Sequence, residues 1–573
     1  MELIQDLGKY TFKALLQNSV KKFGERPALS LVGKKEVSYN EIKQKSEEIS
    51  KMLLSLGLQE KSKIAIFGTG RPEWGISYFA IVNIGMIAVP LLPDFSEIEI
   101  ETIINHCGVD AMIVESKLYE KIKSLEEKLP SVIVNLEDFS IIKGNFVKDV
   151  KELPEIEIDE EDTASIIYTS GTTGRSKGVE LSHKNLIWNA ITCQWCHRVN
   201  KMDRCLSFLP LSHVYEFTIG FAMQMLNGSC VYYLGKPPVV SLLMQAFCKV
   251  KPTIVLSVPL IMEKIYKNKV LPVFEKNKFI KFLYKLPLVH KILNRIVGRS
   301  IKKAFGGHIV FFGIGGAKID PQIERFMKDA KFPYAIGYGL TETAPLLAGS
   351  GVKSTVPGTI GPVIPEVDLR LIHKNAEGIG EIVVKSPGLM KAYYKEPNLT
   401  KSVFTTKDDE CGEGYFKTGD LGLFSEEHGT LYLSLKGRSK NMILGPSGEN
   451  IYPEDIEFVL NQHNLVSESL IVEDDKGLVA LVKFDEDKVE AEAEKRTHLK
   501  FPNLKEKTED FIRDVQYQRE QILGEIQFFV NSRVNKSSHI ARVQKVDDFE
   551  KTASQKIKRY LYDLRSKKDK SGK

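Results

Sequence analysis

The chain has 573 residues, of which 43% are hydrophobic and 27% are charged, close to the averages for globular proteins. This composition excludes a wholly disordered or collagen-like chain, and the length predicts two to four domains around a core that needs no disulfides. The net charge of +6 is small for this size, so no nucleic-acid partner is expected.

The cellular compartment is predicted from the cysteines and from the apolar segments. Seven cysteines scattered over a long chain are not typical of a secreted disulfide framework. The first residues, Met1–Asp6, carry acids where a signal peptide has basic residues. The most apolar window, Tyr78–Leu92, is interrupted by Asn83, Gly85 and Pro90 and is too short to span a membrane. We therefore expect a cytoplasmic protein, with Tyr78–Leu92 forming a buried helix and strand.

The first 150 residues alternate helical and strand patterns. A helix is predicted to begin at Tyr39, and two more follow at residues 74–84 and 96–106. Short apolar runs between them predict buried strands at Lys63–Gly68, Ile87–Leu91 and Ala111–Val114. Strands that alternate with helices of this length indicate βαβ units in a largely parallel sheet.

Three further regions follow in the chain. Residues 162–348 form a second α/β stretch, with strands predicted at Arg204–Leu209, Cys230–Leu234, Ile254–Val258 and Ile309–Gly313. Residues 358–435 alternate apolar and polar positions, which predicts an antiparallel β subdomain. A smaller α+β unit begins near residue 441 and carries a charged helical insert from about 486 to 531. The expected fold class is α/β, with a large domain over 1–439 and a small α+β domain over 440–573.

The loop after the apolar run Ala164–Ile167 carries the strongest functional signal. Glycines, hydroxyl side chains and one lysine occur together there, and such a loop suits a polyphosphate because its backbone N–H groups can approach the oxygens closely. The alternative interpretation is a flexible surface turn. Gly178, rather than Ser or Thr, follows Lys177, so the pattern is not the P-loop of NTPases. The candidate polyphosphate-binding residues are Thr169, Ser170, Gly171, Thr172, Thr173, Gly174 and Lys177.

This loop resembles the signature of the adenylate-forming superfamily, which contains acyl-CoA synthetases, luciferase-type enzymes and the adenylation domains of peptide synthetases. The order and spacing of the matching motifs cover nearly the whole chain, from Phe12 to Leu564. The further matching segments are Gly315–Ala317, Tyr338–Thr343, Gly414–Asp420, Gly437–Lys440 and Gly448–Glu457.

The resemblance implies roles for these residues around ATP. The turn formed by Gly315, Gly316 and Ala317 would line the adenine pocket with Gly337, and Tyr338 would stack on the base.

Other residues of these motifs would contact the phosphates, the metal and the ribose. Thr341 would contact phosphate, and Glu342 would help to hold Mg²⁺ together with Thr169. Asp420 and Arg438 would bind the ribose hydroxyls. The small domain would be mobile.

The resemblance also implies a catalytic lysine near the C-terminus and a pivot. Lys440 would be the pivot about which the small domain turns. Lys556 is the candidate catalytic lysine, although Gln555 stands where the family usually has glycine. The sequence Ser571–Lys573 also reads Ser-Gly-Lys, but it has no apolar anchor and a catalytic lysine needs a fixed position. His213 is placed near the phosphate and the acyl entrance, and a structural hydrogen-bonding role remains an equal alternative.

The resemblance implies ATP-dependent activation of a carboxylic acid with Mg²⁺, followed by transfer to a thiol. We expect a long-chain fatty acid:CoA ligase, with fatty acid, ATP and CoA as substrates. Transfer to an acyl carrier protein is a near alternative, and a non-catalytic, membrane-associated nucleotide-binding protein is an alternative from a different class. The presence of Lys177, Glu342, Asp420, Arg438 and Lys556 argues against the non-catalytic alternative.

The positive charge is concentrated in two places. Residues 261–303 hold twelve Lys and Arg against Glu263 and Glu275, a local charge of +10, and residues 565–573 add +4, which leaves −8 elsewhere. Aromatic and aliphatic residues are interleaved with the basic residues of 261–303, which is typical of a helix that lies on an anionic membrane. A solvated, lysine-rich insert is the equal alternative. The protein is therefore expected in the cytoplasm, with this segment as a candidate contact to the inner face of the membrane.

Overall fold

The structure is a computed structural model that describes most of the chain. The residues outside the description are 1–6, 171–175, 276–279, 281, 283, 285, 317–318, 428, 445–449, 475–476, 501–507, 553–555 and 563–573.

The strands, numbered in chain order, belong to two large sheets and to three smaller ones. Those before residue 183 are β1 (Pro27–Leu31), β2 (Val37–Ser38), β3 (Lys63–Phe67), β4 (Ile87–Leu91), β5 (Ala111–Val114), β6 (Val132–Asn135), β7 (Ile141–Lys143), β8 (Thr163–Ser170) and β9 (Ser176–Ser182). The middle of the chain adds β10 (Arg204–Ser207), β11 (Cys230–Tyr233), β12 (Ile254–Ser257), β13 (Phe311–Ile314), β14 (Tyr334–Gly339) and β15 (Leu346–Gly349). The later strands are β16 (Asp368–Ile372), β17 (Gly380–Lys385), β18 (Ala392–Tyr393), β19 (Phe416–Glu427), β20 (Thr430–Arg438), β21 (Ile443–Leu444), β22 (Asn450–Ile451), β23 (Val466–Asp474), β24 (Gly477–Phe484) and β25 (Ile540–Lys545).

The α-helices are numbered in the same way. Those in the first half of the chain are α1 (Phe12–Phe23), α2 (Tyr39–Ser55), α3 (Pro72–Val82), α4 (Glu97–Cys107), α5 (Ser116–Ile122), α6 (His183–Thr192), α7 (Met223–Asn227), α8 (Val240–Val250), α9 (Pro259–Ile265) and α10 (Leu271–Glu275). Those in the second half are α11 (Pro287–Ala304), α12 (Pro321–Asp329), α13 (Pro397–Ser402), α14 (Pro453–Asn461), α15 (Glu486–Lys500) and α16 (Glu509–Asn531). Two π-helical turns, Glu216–Ala222 and Tyr266–Val270, precede α7 and α10.

Local sequence explains where several helices begin. The Ser38 hydroxyl accepts a hydrogen bond from the Glu41 backbone, and the Glu41 carboxylate accepts one from the Ser38 backbone, which forms a capping box at the start of α2. Ser96 and Glu99 form the same arrangement at α4. Each box satisfies two backbone N–H groups that an isolated helix end would leave without a partner. The predicted helices over residues 74–84 and 96–106 therefore lie within two residues of α3 and α4.

The two large sheets have eight strands each and are built from β1 to β15 together with β18. One has the order β18-β9-β8-β4-β3-β5-β6-β7, and the other has the order β15-β14-β13-β12-β10-β11-β1-β2. The predicted second α/β stretch over 162–348 ends correctly with β15, but its start is wrong because β8 and β9 belong to the first sheet. The prediction also missed β1 and β2, which join the second sheet from the beginning of the chain. In the second sheet β1 pairs with β11, about 200 residues later, in parallel register. Local periodicity identifies a strand but does not identify a partner so distant in sequence.

A continuous apolar core lies between the two sheets. Tyr78 and Phe217 are both buried, with ring centroids 4.4 Å apart, and Phe12 packs edge-on to Tyr78 at 5.0 Å. The window Tyr78–Leu92 forms the buried end of α3 and the buried strand β4, as predicted. This core holds the carboxyl ends of strands from both sheets in fixed positions.

The later chain forms an antiparallel sheet and a smaller unit. Strands β16, β17, β19 and β20 pair antiparallel, which confirms the β subdomain predicted over 358–435. The smaller unit has the three-stranded sheet β23-β24-β25, with α14, α15 and α16 packed on it. The expected α/β class, with a β subdomain and a smaller α+β C-terminal unit, is confirmed.

The described residues of the basic segment 261–303 include the end of α9, the π-helical turn Tyr266–Val270 and α10, which follow one another directly, and most of α11. Helix α11 begins with a proline, which is common at the first helical position. Among the helices of the described residues, none combines the length and the apolar character that crossing a bilayer requires.

Candidate active site

The predicted phosphate loop connects β8 and β9. These strands pair antiparallel, with Thr169 opposite Lys177 and Ser170 opposite Ser176. Gly171, Thr172, Thr173 and Gly174 lie outside the described residues. The hairpin therefore places the Thr169 backbone next to Lys177 at the base of the loop.

A tyrosine that the sequence did not single out connects Lys177 to Glu342. The Lys177 ammonium lies 5.2 Å from the centroid of the Tyr393 ring, and the Tyr393 hydroxyl donates a hydrogen bond of 2.8 Å to the Glu342 Oε1. β18 carries Tyr393 and pairs with β9 beside Lys177. Loss of hydration lowers the pKa of Lys177, and the nearby Lys440 ammonium lowers it further, whereas Glu342 opposes the shift. Tyr393 thus contacts a cation with its ring and a carboxylate with its hydroxyl.

Asp420 forms a second polar cluster at the meeting of the large sheets and the β subdomain. The Tyr338 hydroxyl donates a 2.8 Å hydrogen bond to Asp420 Oδ2, and Arg438 Nε lies 2.9 Å from Asp420 Oδ1. Asp420 and Arg438 are opposite residues of β19 and β20. Burial raises the pKa of Asp420, and Arg438 opposes that shift. The pairing fixes both side chains where a sugar hydroxyl pair could bind.

The predicted adenine turn follows β13. Gly315 lies against Tyr215, since a Cβ atom at residue 315 would be 3.2 Å from the Tyr215 ring, and Gly316 has a φ of +87°. A side chain at either position would meet a ring or a strained backbone. Gly337 lies on β14, directly before Tyr338. Ala317 lies outside the described residues.

The predicted pivot follows β20. Lys440 is exposed in the short 3₁₀ turn Ser439–Asn441. The Ser439 hydroxyl donates to the Gly419 carbonyl at 3.2 Å, and the Asn441 amide donates to Glu454 Oε1 at 2.6 Å. One turn thus bonds to the β subdomain on one side and to α14 of the smaller unit on the other.

Lys556 belongs to the smaller unit and lies within electrostatic reach of Glu342 and Asp420. The region where these three side chains and Lys177 converge is called the cleft. The Lys556 backbone closes a turn with Thr552, whose N–H donates to the Lys556 carbonyl at 2.8 Å. Although the residue as a whole is exposed, loss of hydration around its ammonium group lowers the pKa, as does Arg438, while Asp420 and Glu342 raise it. The alternative lysine in Ser571–Lys573 lies outside the described residues. The structure therefore brings Lys556 within electrostatic reach of both polar clusters.

His213 is positioned by its own loop. Its Nδ1 accepts a hydrogen bond of 3.3 Å from the Tyr215 N–H, and its backbone carbonyl accepts one from Phe217. Burial lowers the pKa of His213 to about 4, and the Lys556 ammonium adds to this effect. His213 is thus a neutral imidazole within electrostatic reach of Lys556. Thr341 begins the 3₁₀ turn that carries Glu342, so both are placed by the end of β14.

A small apolar cavity adjoins the adenine turn. Its volume is about 30 Å³, roughly that of one water molecule. Side chains from β12, β13, β14 and the π-helical turn surround it, together with the segment after α6. Its lining includes Cys193, Cys196, His197, Tyr215, Ile219, Met223, Leu256 and Phe311. The sequence patterns did not identify these residues as a group, because they come from strands and helices far apart in the chain.

The oxygen atoms of Glu342 and Thr169 are suitable ligands for a Mg²⁺ ion that also binds phosphate. Glu342 is a carboxylate and Thr169 is a hydroxyl, and Mg²⁺ prefers oxygen ligands. The described residues contain no cluster of three or more His, Cys, Asp or Glu side chains that could hold a metal alone. Mg²⁺ usually binds through one or two carboxylates together with water and substrate phosphates.

Comparison with known proteins gives a family match and several relatives. Residues 16–394 match the model of the AMP-binding enzyme family. The chain is 28% identical over 469 residues to the long-chain-fatty-acid–CoA ligase FadD15 of Mycobacterium bovis, which covers 76% of this chain and 74% of that protein. It is also 28% identical to the peroxisomal long chain acyl-CoA synthetase 7 of Arabidopsis thaliana, over 78% of this chain and 68% of that protein.

Solved structures share the fold at lower sequence identity. ATP-bound MatB from Rhodopseudomonas palustris superposes with a TM-score of 0.73 at 21% identity, covering 96% of this chain and 98% of that one. The o-succinylbenzoate CoA synthetase MenE from Bacillus subtilis, in complex with ATP and magnesium, gives a TM-score of 0.72 at 21% identity over 95% of this chain and 98% of that one.

Proposed function

The chain belongs to the AMP-binding enzyme family, and we propose that it is a long-chain fatty acid:CoA ligase that uses ATP and Mg²⁺ and forms AMP. The family resemblance drawn from the motifs is confirmed. The observation that carries the proposed chemistry is the convergence of Lys177, Lys556, Glu342 and Asp420 at one cleft between the large sheets, the β subdomain and the smaller unit. The long-chain substrate is supported by the activities named for the relatives.

In the first step the fatty acid carboxylate attacks the α-phosphorus of ATP and expels pyrophosphate. Both reactants are anions, so the site must supply positive charge rather than a general base. Lys177 is proposed to hold the outer phosphates, and Lys556 to lie at the carboxylate and the α-phosphate. Bound Mg²⁺, held by Glu342 and Thr169, would neutralise charge on the phosphate oxygens. His213 is proposed to pack as a neutral imidazole beside the acyl entrance.

The nucleoside of ATP is proposed to occupy the space around Tyr338. Gly315, Gly316 and Gly337 are proposed to line the pocket of the base, with the Tyr338 ring stacked on it. Asp420 and Arg438 would bind the ribose hydroxyls, because a carboxylate accepts two hydrogen bonds and the guanidinium fixes its orientation. Thr341 would donate to a phosphate oxygen.

In the second step the CoA thiol attacks the carbonyl carbon of the acyl-adenylate, and AMP leaves. We propose that the small domain, residues 440–573, turns about Lys440 between the two steps and removes Lys556 from the cleft. The hydrogen bonds of Ser439 and Asn441, one to each side of the turn, support a pivot here.

The acyl chain is proposed to enter the apolar cavity beside the adenine turn. At about 30 Å³ the cavity is much smaller than a long acyl chain, so binding must move some of its lining. Ile219 lies in the π-helical turn and Met223 directly follows it. Met223 is suited to this movement because methionine adapts its shape readily. Replacing Met223 with alanine should therefore favour longer or bulkier acids.

The exposed face of α11 supports a peripheral membrane location. Ile292 and Ile296 are one turn apart and each is 55% exposed, so an apolar strip faces outward. Four basic residues surround this strip, and none of them forms an ion pair with a described residue. They are Lys291, Arg295, Arg299 and Lys303. Such a face suits an anionic membrane surface, from which a long-chain acid would be taken.

The proposed reaction is tested by measuring pyrophosphate release from the purified chain, with ATP and Mg²⁺, across carboxylic acids from acetate to oleate. Palmitate and oleate are expected to give the highest kcat/KM. Rapid turnover of short acids with no palmitoyl- or oleoyl-adenylate would overturn the substrate class. Repeating the assay with CoA or with holo-acyl carrier protein identifies the thiol acceptor, and CoA is expected.

A further inference from the structure

A buried carboxylic acid that the proposed mechanism does not use lies beside the cleft. Glu216 begins the π-helical turn Glu216–Ala222 and has no exposed surface. It follows His213 by three residues and is adjacent to Tyr215. Aspartate and glutamate are rarely buried without a cation or a set of hydrogen-bond donors, so this position requires a physical explanation.

Glu216 is not paired with a cation in the part of the chain that the structure describes. Neither carboxyl oxygen has a hydrogen-bond partner there, and the same is true of the Ser207 hydroxyl and the Tyr233 hydroxyl. The titratable groups that influence it or are influenced by it are Cys205 of β10, Tyr233 of β11 and Tyr215 on its own turn. All three are neutral at pH 7, since burial raises each of their pKa values.

The surroundings favour the uncharged acid. Burial raises the pKa of Glu216 to about 8. An ionised carboxylate without a partner in such a place would be strongly unfavourable, whereas a protonated carboxyl can both donate and accept. The backbone also fits this side chain closely, because a Cβ atom at Gly220 would lie 2.5 Å from Glu216 Oε1.

The turn that Glu216 begins also supports the cleft. Tyr215, Ile219 and Met223 line the apolar cavity, and Tyr215 packs against the adenine turn at Gly315. The Phe217 N–H donates a 3.0 Å hydrogen bond to the His213 carbonyl, so the start of the turn and the His213 loop are bonded directly. A movement of Glu216 would therefore shift residues on both sides of the reacting groups.

We propose that Glu216, as a neutral carboxylic acid, is a positioning residue for adenylation. It fills the space between the π-helical turn and strands β10 and β11, and thereby holds Tyr215 and His213 in place. Ionisation would draw water or a cation toward the core and loosen the turn. The kinetic readout rests on the proposed function, whereas the ionisation of Glu216 itself is independent of it.

Two variants separate charge from shape. E216Q keeps the size of the side chain but cannot ionise, and E216A removes the group. The matched control is E324Q, at another buried acid whose pKa burial raises but which accepts hydrogen bonds from Tyr334 and from the Gly358 N–H. The rate of palmitate-dependent pyrophosphate release is measured from pH 6 to pH 9.5 for all four proteins, together with thermal unfolding from pH 4.5 to pH 9.

The wild type is expected to lose activity above about pH 8, while E216Q keeps its activity into this range and lies within about threefold of the wild type at pH 7. E216A should reduce kcat about tenfold with little change in the KM for ATP. E324Q should retain the alkaline loss. An alkaline loss in E216Q identical to that of the wild type, or equal activity of E216A and E216Q, would overturn the proposal.

Thermal unfolding tests the ionisation even if long-chain acids are not the substrates. The folded-state pKa is raised above the unfolded value, so the free energy of unfolding of the wild type should fall relative to E216Q as the pH rises from about 4.5 to 8. A difference in melting temperature between the two that does not change with pH would contradict a neutral Glu216. Thermal unfolding requires no substrate, so it can contradict a neutral Glu216 without contradicting the proposed function, and the reverse also holds.

Discussion

Two groups of basic residues in this protein have opposite surroundings. Lys177 and Lys556 converge on one cleft with Glu342 and Asp420, where loss of hydration lowers the pKa of each lysine. The basic residues on the exposed face of α11 lie in solvent beside two exposed isoleucines and have no ion pair with a described residue.

The difference shows that net charge alone says little about function. A cation held among carboxylates and stripped of water interacts strongly with a bound anion, because the local dielectric is low. A cation in water interacts weakly and over a short range, so several must act together on an extended anionic surface. We therefore propose a chemical role for the first group and a role in membrane location for the second. Substitutions in each group should affect different measurements.

The largest expected effect is on adenylation. Replacing Lys556 with alanine removes the cation proposed to lie at the carboxylate and the α-phosphate, so pyrophosphate release should fall about 100- to 1,000-fold. Thioester formation from separately prepared acyl-adenylate and CoA should fall much less. Lys558, two residues away, provides the control, because K558A should retain both activities. Full adenylation by K556A would refute this role.

The second effect concerns only the membrane. Exchanging the four basic residues on the exposed face of α11 for glutamine should lower binding to phosphatidylserine-containing vesicles about 1,000-fold, because each contributes about 1 kcal/mol near an anionic surface. The variant carries K291Q, R295Q, R299Q and K303Q. Pyrophosphate release with detergent-dispersed palmitate should stay the same, and sedimentation with vesicles measures the binding.

The matched control for this variant exchanges four exposed lysines elsewhere, and it should bind vesicles like the wild type. These are Lys34, Lys35, Lys43 and Lys45. Equal loss in both variants would mean that net charge, rather than the α11 face, determines binding. Equal binding by both variants and the wild type would exclude the membrane proposal.

A smaller effect is expected at the ribose cluster. D420N retains the shape of Asp420 but removes the charge that Arg438 and Tyr338 contact at 2.9 and 2.8 Å. Hydrogen bonds to a charged group stabilise by about 1.5–3 kcal/mol, so the KM for ATP should rise at least about tenfold. The KM for palmitate should change little, as initial rates at varied concentrations of each substrate would show. A rise in the KM for palmitate alone would contradict the proposal that Asp420 binds the ribose.

The smallest effect is expected at Tyr393. Y393F keeps the ring beside Lys177 but removes the hydroxyl that donates to Glu342. The carboxylate should be less well oriented, and the Mg²⁺ concentration for half-maximal pyrophosphate release should rise a few-fold. Titration of Mg²⁺ at saturating ATP measures this. An unchanged Mg²⁺ dependence would contradict the proposal that Glu342, oriented by Tyr393, holds the metal.

Much of the local structure could be predicted from the sequence. Strand β4 has the predicted bounds, Ile87–Leu91, because a continuous apolar run between turn residues is typical of a buried parallel strand. The partners of the strands could not be predicted in the same way. The pairing of β1 with β11 joins residues about 200 positions apart, and nothing in either run specifies the other.

In the candidate site, too, some residues could be predicted from local sequence and others could not. Its motif residues are recognisable in the sequence because close approach to phosphate requires glycines, hydroxyls and lysine at fixed spacing. Tyr393 and Glu216 belong to no such pattern. Tyr393 reaches Glu342 only because β18 returns to pair with β9. The burial of Glu216 depends on how the π-helical turn packs against β10 and β11, which residue periodicity does not indicate.

The central claim is that the cleft joins a long-chain fatty acid to CoA through an adenylate. The most direct measurement is mass-spectrometric identification of the products after incubation of the purified protein with oleate, ATP, Mg²⁺ and CoA. The account predicts oleoyl-CoA, AMP and pyrophosphate in equal amounts, with oleoyl-adenylate accumulating when CoA is omitted. Formation of ADP, or the absence of both oleoyl-adenylate and oleoyl-CoA while a short acid is converted, would contradict it.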